Sequence, residues 1–535
     1  MFLSVSRLSS KPTRKNLPNE SEEQIPMEVT PMLLDPLLNP PLGPRVSWKS
    51  AVLLSSAVLL LPTTASAAPQ DLPAETPSTT PLGFPAIEAP EPQNASTIPV
   101  NSAQSPYLFN LQNKPVTAIG SALQKAGLYL NGFDFSEFQG VPSGGFDGGS
   151  YGGSWTQLGL DADMKKIAGI DGAKIHFSVT AISGRGRWWQ HTGSVLSVTS
   201  TFGNHNGLQL REFAWDQAIL SDKLHILVGR FNKGGEFDSS ELYCQFSTII
   251  CASPVTFMGN NGGPPYVTSS WAARVLFKPT THTYIKAAIY ANEPILTRAG
   301  HGGWPGKDWS FSRADGALLP VEIGYKTSFA DDLYPRAYTI GATFDTSRYN
   351  DPIRNVAGEN LVIYGGTPLQ HTKQSSVYLQ AQQMVWKPDP RGTRGLTLFG
   401  AANVTTKGNP PISAGIVLGA LDYGPFKARP NDTAGIVFQT LWIDRSTRRV
   451  ANDIVRLQGI DHKFSRKEYM VEVNYGAAVA PGLKIQPYLE YIWHPDQIYF
   501  PNPRPGVTHA LQIGVMLDFE LNEAFGLPRL RRTNF

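Results

Sequence analysis

The chain has 535 residues, a length at which two or three soluble domains are usual, although a large membrane barrel also reaches it as one closed sheet. Its 46 Lys and Arg residues nearly balance 43 Asp and Glu residues, and a net charge of +3 excludes the basic surface typical of nucleic-acid-binding proteins. Charged residues make up only 17%, whereas Gly (50) and Pro (43) are plentiful, which favours many strands and turns.

The long apolar run at residues 51–61 predicts a secretory signal peptide. Arg45 and Lys49 precede the run and an Ala-Ser-Ala site ends at Ala67, so we expect cleavage after Ala67. The run is shorter than the roughly 20 residues of a transmembrane helix, although an N-terminal membrane anchor is the alternative. The polar residues ahead of Arg45 are unusual for a signal peptide, and translation from Met32 would remove most of them.

Four segments follow from this pattern. We predict an N-terminal extension with signal peptide over 1–67, a Pro-rich periplasmic segment over 68–107, a barrel over 108–521 and a C-terminal tail over 522–535. The Pro-rich segment cannot bury a core and is expected to be extended and disordered. A short helix is expected over 110–123, just before the barrel.

Alternation of apolar and other residues predicts sixteen strands in the barrel segment. The clearest strand is 509–521, where alternation persists over about twice the length of an ordinary soluble strand. An even strand number is the rule in bacterial single-chain barrels. The strands are predicted near 127–139, 155–164, 173–182, 207–218, 224–231, 269–278, 283–291, 321–329, 336–346, 375–387, 395–404, 412–422, 433–443, 466–478, 483–493 and 508–521.

The links between these strands sort by length. Links after even-numbered strands are short, whereas those after odd-numbered strands are mostly long, as at 232–269. Short turns at one end and long loops at the other indicate a barrel of the bacterial outer membrane, with both termini in the periplasm. The predicted fold class is therefore all-β, a transmembrane antiparallel barrel.

Cys244 and Cys251 are close together in a Gly-, Pro- and Ser-containing stretch. This closeness predicts one disulfide formed in an oxidising compartment, with two free thiols as the alternative. A zinc site is disfavoured because no histidine pair lies nearby.

Five tryptophans fall near predicted strand ends, where an interfacial aromatic girdle is expected. Aromatic residues also occur at strand ends of soluble sheets, which is the alternative explanation. The five are Trp155, Trp271, Trp386, Trp442 and Trp493.

A barrel of sixteen strands encloses an aqueous channel, which the alternate polar residues are expected to line. Both charge signs occur in comparable number, which favours a neutral polyol solute, since carboxylates and guanidinium groups bind hydroxyls and aromatic faces stack on sugar rings. A solvated pore wall without ligand contacts is the alternative for each residue. The residues are Lys174, His176, Arg274, Lys286, Glu322, Lys326, Glu472 and Glu490.

Several motifs occur in order over most of 108–521: Glu212 followed by 228–230, then 241–246 with Cys251, 269–275, 321–325 and 486–492. Together they resemble the carbohydrate-selective porin (OprB) family. The resemblance implies a sixteen-stranded pore, narrowed by inward loops, that passes glucose and related sugars passively. It also implies Glu212, Arg230 and Arg274 as polar residues at or near the constriction. The same resemblance implies that a sugar ring stacks on Trp271, although alternation places Trp271 on the lipid side.

The C-terminus departs from the usual pattern, in which a final aromatic residue closes the last strand. Here the last strand is predicted to end near 519–521, and residues 522–534 precede a terminal Phe535. Either Phe519 serves as an internal assembly signal or the tail pairs back onto the barrel.

The sequence lacks the H-E-x-x-H motif and the paired ligand motifs of zinc enzymes. We therefore predict a sugar-permeable porin rather than an enzyme, with no cofactor and no metal. Its predicted partners are permeating sugars, outer-membrane lipid, the barrel-assembly machinery and further copies of itself, but not nucleic acid. The alternatives are a non-selective diffusion porin, a lipid-acting barrel enzyme and a secreted soluble carbohydrate-binding protein.

Overall fold

The computed structural model describes residues 107–111, 114–184, 189–197, 201, 206–248, 251, 253–264, 267–297, 301, 308–498, 500, 502–530 and 532. The predicted signal peptide and all but the last residue of the predicted Pro-rich segment lie outside these described residues. Within the described ranges, no helix has the length and apolar character needed to cross a membrane.

Sixteen strands, counted over the described residues, pair antiparallel in chain order, and the sheet closes where the first strand pairs with the last. This confirms the predicted sixteen-stranded barrel. The strands are β1 (Leu128–Gly144), β2 (Ser150–Asp163), β3 (Ala173–Gly184), β4 (Gly207–Ile219), β5 (Leu224–Phe231), β6 (Ser270–Phe277), β7 (Thr283–Asn292), β8 (Gly316–Lys326), β9 (Arg336–Asn355), β10 (Pro368–Trp386), β11 (Gly395–Lys407), β12 (Ile412–Tyr423), β13 (Thr433–Ile443), β14 (Lys467–Ala480), β15 (Leu483–Trp493) and β16 (His509–Glu520).

Short helices occupy the ends and loops of the barrel. The α-helices of the described residues are α1 (Lys114–Lys125), α2 (Met164–Ala168), α3 (Trp189–Thr192), α4 (Val255–Asn260), α5 (Leu361–Tyr364), α6 (Arg445–Leu457) and α7 (Leu521–Phe525). Three 3-10 helices lie at Glu241–Gln245, Pro294–Thr297 and Phe311–Arg313.

The alternation of side chains on β16 shows why the sheet closes. Ile513, Val515 and Leu517 are exposed on the outer face, whereas Gln512 and Met516 on the inner face are buried. An outer face of this kind is stable in hydrocarbon, and closure leaves no strand edge with unpaired backbone groups there. The same division of apolar and polar residues recurs along the other strands.

Strands β9 and β10 are longer than the alternation predicted, because their pairing continues where the apolar pattern stops. Asn350 pairs with Gln370 and Tyr349 with His371, well beyond the last outward apolar residue predicted for this hairpin. A hairpin outside the bilayer needs hydrogen-bonded neighbours but no lipid-facing side chains. Hydrophobic alternation therefore marks the part of the hairpin in the membrane and misses its extension.

The two ends of the barrel carry different links, which sets the orientation. One end has links as short as the two residues 481–482, and both termini of the barrel lie there. The other end has links as long as 232–269 and 185–206. We call the end with short links the periplasmic end, as outer-membrane barrels place their short turns in the periplasm.

Candidate functional site

The link between β5 and β6, residues 232–269, folds into the barrel and is called the inward loop below. Its ends are adjacent, because Phe231 and Ser270 lie directly opposite each other in the sheet. Inside the barrel, the Ser247 hydroxyl donates to Glu490 at 3.0 Å, and the Ser247 backbone N–H donates to Glu472 at 3.1 Å. Glu472 and Glu490 belong to the opposite wall, so the loop crosses the lumen.

Lys233 fixes the base of the inward loop. Its ammonium group donates to the carbonyl oxygens of Asn261 and Gly262, each at 2.7 Å, and to that of Met258 at 3.3 Å. The Lys233 side chain is fully buried, so these carbonyls replace water around the charge. The two limbs of the loop are thereby held together inside the barrel.

The tip of the inward loop is held by the disulfide. Cys244 and Cys251 are bonded, with 4.1 Å between their Cα atoms. They pack in a buried cluster with Phe133, Phe135 and Trp155 of the barrel wall. The 3-10 helix that contains Cys244 begins at Ser240, whose hydroxyl accepts from the Leu242 N–H at 3.1 Å.

A second loop supports the first. The described part of the link between β3 and β4 includes Ser194, whose hydroxyl donates to Glu468 at 2.5 Å. The carbonyl oxygen of Leu196 in the same link accepts from the Thr248 hydroxyl of the inward loop at 2.8 Å. The two loops therefore fill the side of the lumen next to β13–β15 together.

Basic residues on β6 and β7 face the inward loop, and each one is paired with a carboxylate. Arg274 contacts Glu236 of the loop at 2.5 Å, and Lys286 contacts Glu322 of β8 at 3.1 Å. Arg274, Lys286 and Glu322 are all buried. This wall therefore presents alternating charges with no excess of either sign.

Two tyrosines converge on Glu322 because each lies across a glycine of its neighbouring strand. Tyr284 is paired with Gly324 and Tyr378 with Gly341, and the rings occupy the space that a side chain at either glycine would fill. Their hydroxyls donate to Glu322 at 2.7 and 2.8 Å. The absence of a Cβ at the glycines lets both tyrosines lie along the inner wall.

The inward loop also contributes to Glu322. The Asp238 backbone N–H donates to Glu322 at 3.0 Å, and the Asp238 carboxyl accepts from the Asn403 amide at 2.9 Å. Burial raises the pKa of the Asp238 carboxyl to about 8, and the hydrogen bond from Asn403 offsets only part of this rise. Burial and the neighbouring Glu322 carboxylate therefore both favour the uncharged form of Asp238.

A small cavity of about 60 Å³ opens between the inward loop and strands β7–β10, on the periplasmic side of the loop. Charged and amide side chains dominate its lining, and Lys326, one of the predicted pore residues, is among them. The polar residues of the lining include Glu236, Lys286, Glu322, Lys326, Gln380 and Gln382.

Arg230 and Trp271 require a correction, since the structure places both on the outer face of the wall. Arg230 pairs in register with Phe213 and Trp271, and the side chain of Phe213 is exposed to the outside. Trp271 stacks on Phe311 with 5.4 Å between ring centroids, and the Arg230 guanidinium lies 5.8 Å from the Trp271 ring. Neither residue lines the lumen, as the alternation of β6 indicates for Trp271.

Trp155 also differs from its predicted place in an interfacial girdle. Strand β2 begins at Ser150, not near 155, so Trp155 lies inside the strand and points inward. Its ring is fully buried, and 5.0 Å separate the centroids of the Trp155 and Phe133 rings. Trp386 and Trp493, in contrast, are partly exposed on the outer face, as a girdle requires.

The remaining predicted residues, Lys174, His176 and Glu212, lie on the inner face of β3 and β4. His176 contacts Asp161 at 2.7 Å and Asp216 at 3.6 Å. Glu212 faces the lumen and contacts Arg532 of the C-terminal tail at 2.6 Å. Asp161 and Asp216 were not among the predicted residues. Their alternation along β2 and β4 nevertheless places them on the inner face, so the sequence contained the signal.

Among the described residues, no group of three or more His, Cys, Asp or Glu side chains has the arrangement of a metal site. The predicted disulfide is present, and the predicted lumen residues other than Arg230 and Trp271 lie on the inner wall. Glu236, Asp238 and Ser247 of the inward loop complete the constriction, and no alternation pattern in a loop identifies such residues.

Comparison with known proteins gives consistent results. Residues 149–520 match the model of the carbohydrate-selective porin, OprB family. Porin B of Pseudomonas aeruginosa is 26% identical over 410 residues, covering 73% of this chain and 88% of that protein. A putative porin, QuiX, of Acinetobacter baylyi is 22% identical over 357 residues, covering 63% of this chain and 77% of that protein.

The fold has a solved counterpart. The high-pH structure of Pseudomonas putida OprB superposes with a TM-score of 0.67 at 23% identity, covering 75% of this chain and 96% of that one. The family model covers more than half of the chain. The chain therefore belongs to the carbohydrate-selective porin, OprB family, and is an outer-membrane carbohydrate porin.

Proposed function

We propose that this porin passes neutral, glucose-like sugars by passive diffusion past the inward loop. The observation that carries the proposal is the pairing of charges at the constriction. Arg274 with Glu236 and Lys286 with Glu322 leave no excess charge, so neither anions nor cations gain a favourable site. A neutral solute does not depend on a charged site, so paired charges at the constriction do not disfavour its passage.

The same wall offers hydroxyl-binding groups to a sugar. Glu236 and Lys286 border the cavity on the periplasmic side, and Gln380 and Gln382 lie across from them. Carboxylates accept and ammonium and amide groups donate hydrogen bonds, so a polyol can exchange its water for these partners as it passes. No step of this passage changes a covalent bond, and we propose no enzymatic role.

Export is the second part of the proposal. We propose that cleavage after Ala67 releases the chain, that 68–107 is an extended segment in the periplasm, and that the assembly machinery inserts the barrel of 108–521. A protein of the outer membrane has to be exported by such a route, and the apolar run with its basic flank has the pattern of a secretory signal peptide. Outer-membrane lipid then covers the exposed apolar face, for instance at Ile340 and Leu379.

Swelling of liposomes that contain the purified protein tests the sugar preference. A neutral hexose, its sugar acid and its amino sugar are similar in size, so their rates report charge alone. We expect the neutral sugar to enter at least about twofold faster than either charged form. Equal rates for all three indicate a non-selective diffusion porin, and liposomes that do not swell at all contradict a pore.

A further inference from the structure

The chain after β16 turns back over the periplasmic mouth instead of ending at the last strand. Helix α7 stops at Gly526, whose φ of 60° is a left-handed conformation that reverses the chain at little cost to glycine. The following Leu527 is buried, and its side chain lies directly over Gly120 of helix α1. Residues 522–530, all of which the structure describes, neither pair as a strand nor leave the barrel.

Three polar contacts hold the tail in place, in addition to the apolar contact between Leu527 and Gly120. The Thr117 hydroxyl of α1 donates to the carbonyl oxygen of Phe525 at 2.9 Å. The Asn522 side-chain amide donates to the Leu130 carbonyl oxygen of β1 at 2.7 Å. Arg529 forms an ion pair with Glu520. The tail is thereby attached to α1, β1 and the end of β16.

Beyond these anchors, the side chain of Arg532 enters the lumen. Its guanidinium group contacts Glu212 at 2.6 Å and Asp161 at 2.8 Å, and only 19% of the side chain is exposed. Asp161 lies two residues before Asp163, where β2 ends on the periplasmic side, and Glu212 lies on β4. The guanidinium therefore bridges two inner-wall strands near the periplasmic exit.

Arg532 lies among acidic side chains of the inner wall. Asp216 lies on the same wall, where it faces His176 at 3.6 Å, while Asp161 faces the other nitrogen of His176 at 2.7 Å. Three carboxylates thus line this part of the exit, where Lys174 and Arg274 also act on Asp216 and Arg532 is the positive charge that the tail adds beside Asp161 and Glu212. A strip of unbalanced carboxylates in a narrow pore attracts cations and repels anions.

We infer that the described part of the C-terminal tail, residues 522–530 and 532, partly closes the periplasmic exit and that Arg532 sets the charge selectivity of the pore there. The tail lies outside the part of the chain that matches the family model, which ends at residue 520. The inference requires only that the barrel conducts solutes and does not depend on the proposed preference for neutral sugars.

Reversal potentials in planar lipid bilayers under a KCl gradient test the inference. We expect R532Q to raise the permeability ratio of K⁺ to Cl⁻ by about threefold or more, because Asp161 and Glu212 lose their counter-charge. A chain that ends at Gly526 should show the same change with a larger conductance. Adding D161N and E212Q to R532Q should return the ratio toward the original value.

Arg456→Gln is the matched control, because Arg456 lies on α6 in a long-loop connection and 69% of its side chain is exposed. This variant should leave the ratio unchanged. If R532Q conducts with the original ratio, Arg532 does not set selectivity and the inference is wrong. If the shortened chain does not insert into the membrane, the point variants still decide the outcome.

Discussion

Replacing the inward loop, residues 232–269, by a four-residue turn is expected to raise single-channel conductance by about threefold or more. The loop crosses the lumen through Ser247 to Glu472 and Glu490, so its removal opens the lumen at that level. A short turn suffices to rejoin the strands, because Phe231 and Ser270 already lie opposite each other. The carboxylates that lose loop partners then face water. The conductance of purified protein in planar bilayers measures the change.

The link between β9 and β10 provides a matched control for this excision. Asn355 and Pro368 lie opposite each other, so residues 356–367 can be replaced by the same short turn. This link holds Asn360 against Asp453 of α6 at 2.8 Å, and no hydrogen bond ties it to the described residues of the inward loop. The control should keep the original conductance. Unchanged conductance after excision of the inward loop itself would show that the loop lies outside the conduction path.

Substituting Arg230 by leucine is expected to lower the free energy of unfolding by about 3–5 kcal/mol. The Arg230 side chain is fully buried on the outer wall, where it donates to the carbonyl oxygens of Ser269 at 2.6 Å and Asp308 at 2.9 Å. Buried Glu293 lies 3.8 Å away and loses its counter-charge in the variant. Unfolding by guanidinium chloride in detergent micelles measures the loss.

Arg313→Leu is the control for this substitution. Arg313 contacts the same residue, Asp308, at 3.2 Å, but 54% of its side chain is exposed. An exposed ion pair contributes about 0–1 kcal/mol, so the control should be nearly neutral. Replacing both Arg230 and Glu293 by apolar residues should recover part of the loss. Equal, small effects of Arg230→Leu and Arg313→Leu would contradict a structural role for the buried pair.

The sequence predicted the barrel well because the membrane imposes a simple rule on every strand. Residues such as Ile513 and Val515 must be apolar to face lipid, while Gln512 just before them faces the lumen, so alternation is visible without knowledge of neighbours. The pairing order then follows from connecting consecutive strands. The hairpin of β9 and β10 extends furthest beyond its prediction, because its outer part has no lipid to face.

The constriction was only partly predictable, because its contacts join residues far apart in the chain. Ser247 contacts Glu490, and Arg532 contacts Glu212, over separations of 243 and 320 residues. No local pattern tells an inward loop from an outward one, or a tail that enters the lumen from one that leaves it. The position of Arg230 shows the same limit, since the segment that covers it on the outer wall is distant in sequence.

Uptake of sugars of increasing size by liposomes tests most directly whether the inward loop leaves a sugar-sized opening. With the unmodified protein, a monosaccharide should enter about tenfold faster than a trisaccharide, because the loop narrows the lumen. In the variant without residues 232–269, the two rates should come within about twofold of each other. Identical size discrimination by both proteins would contradict a constriction built by this loop.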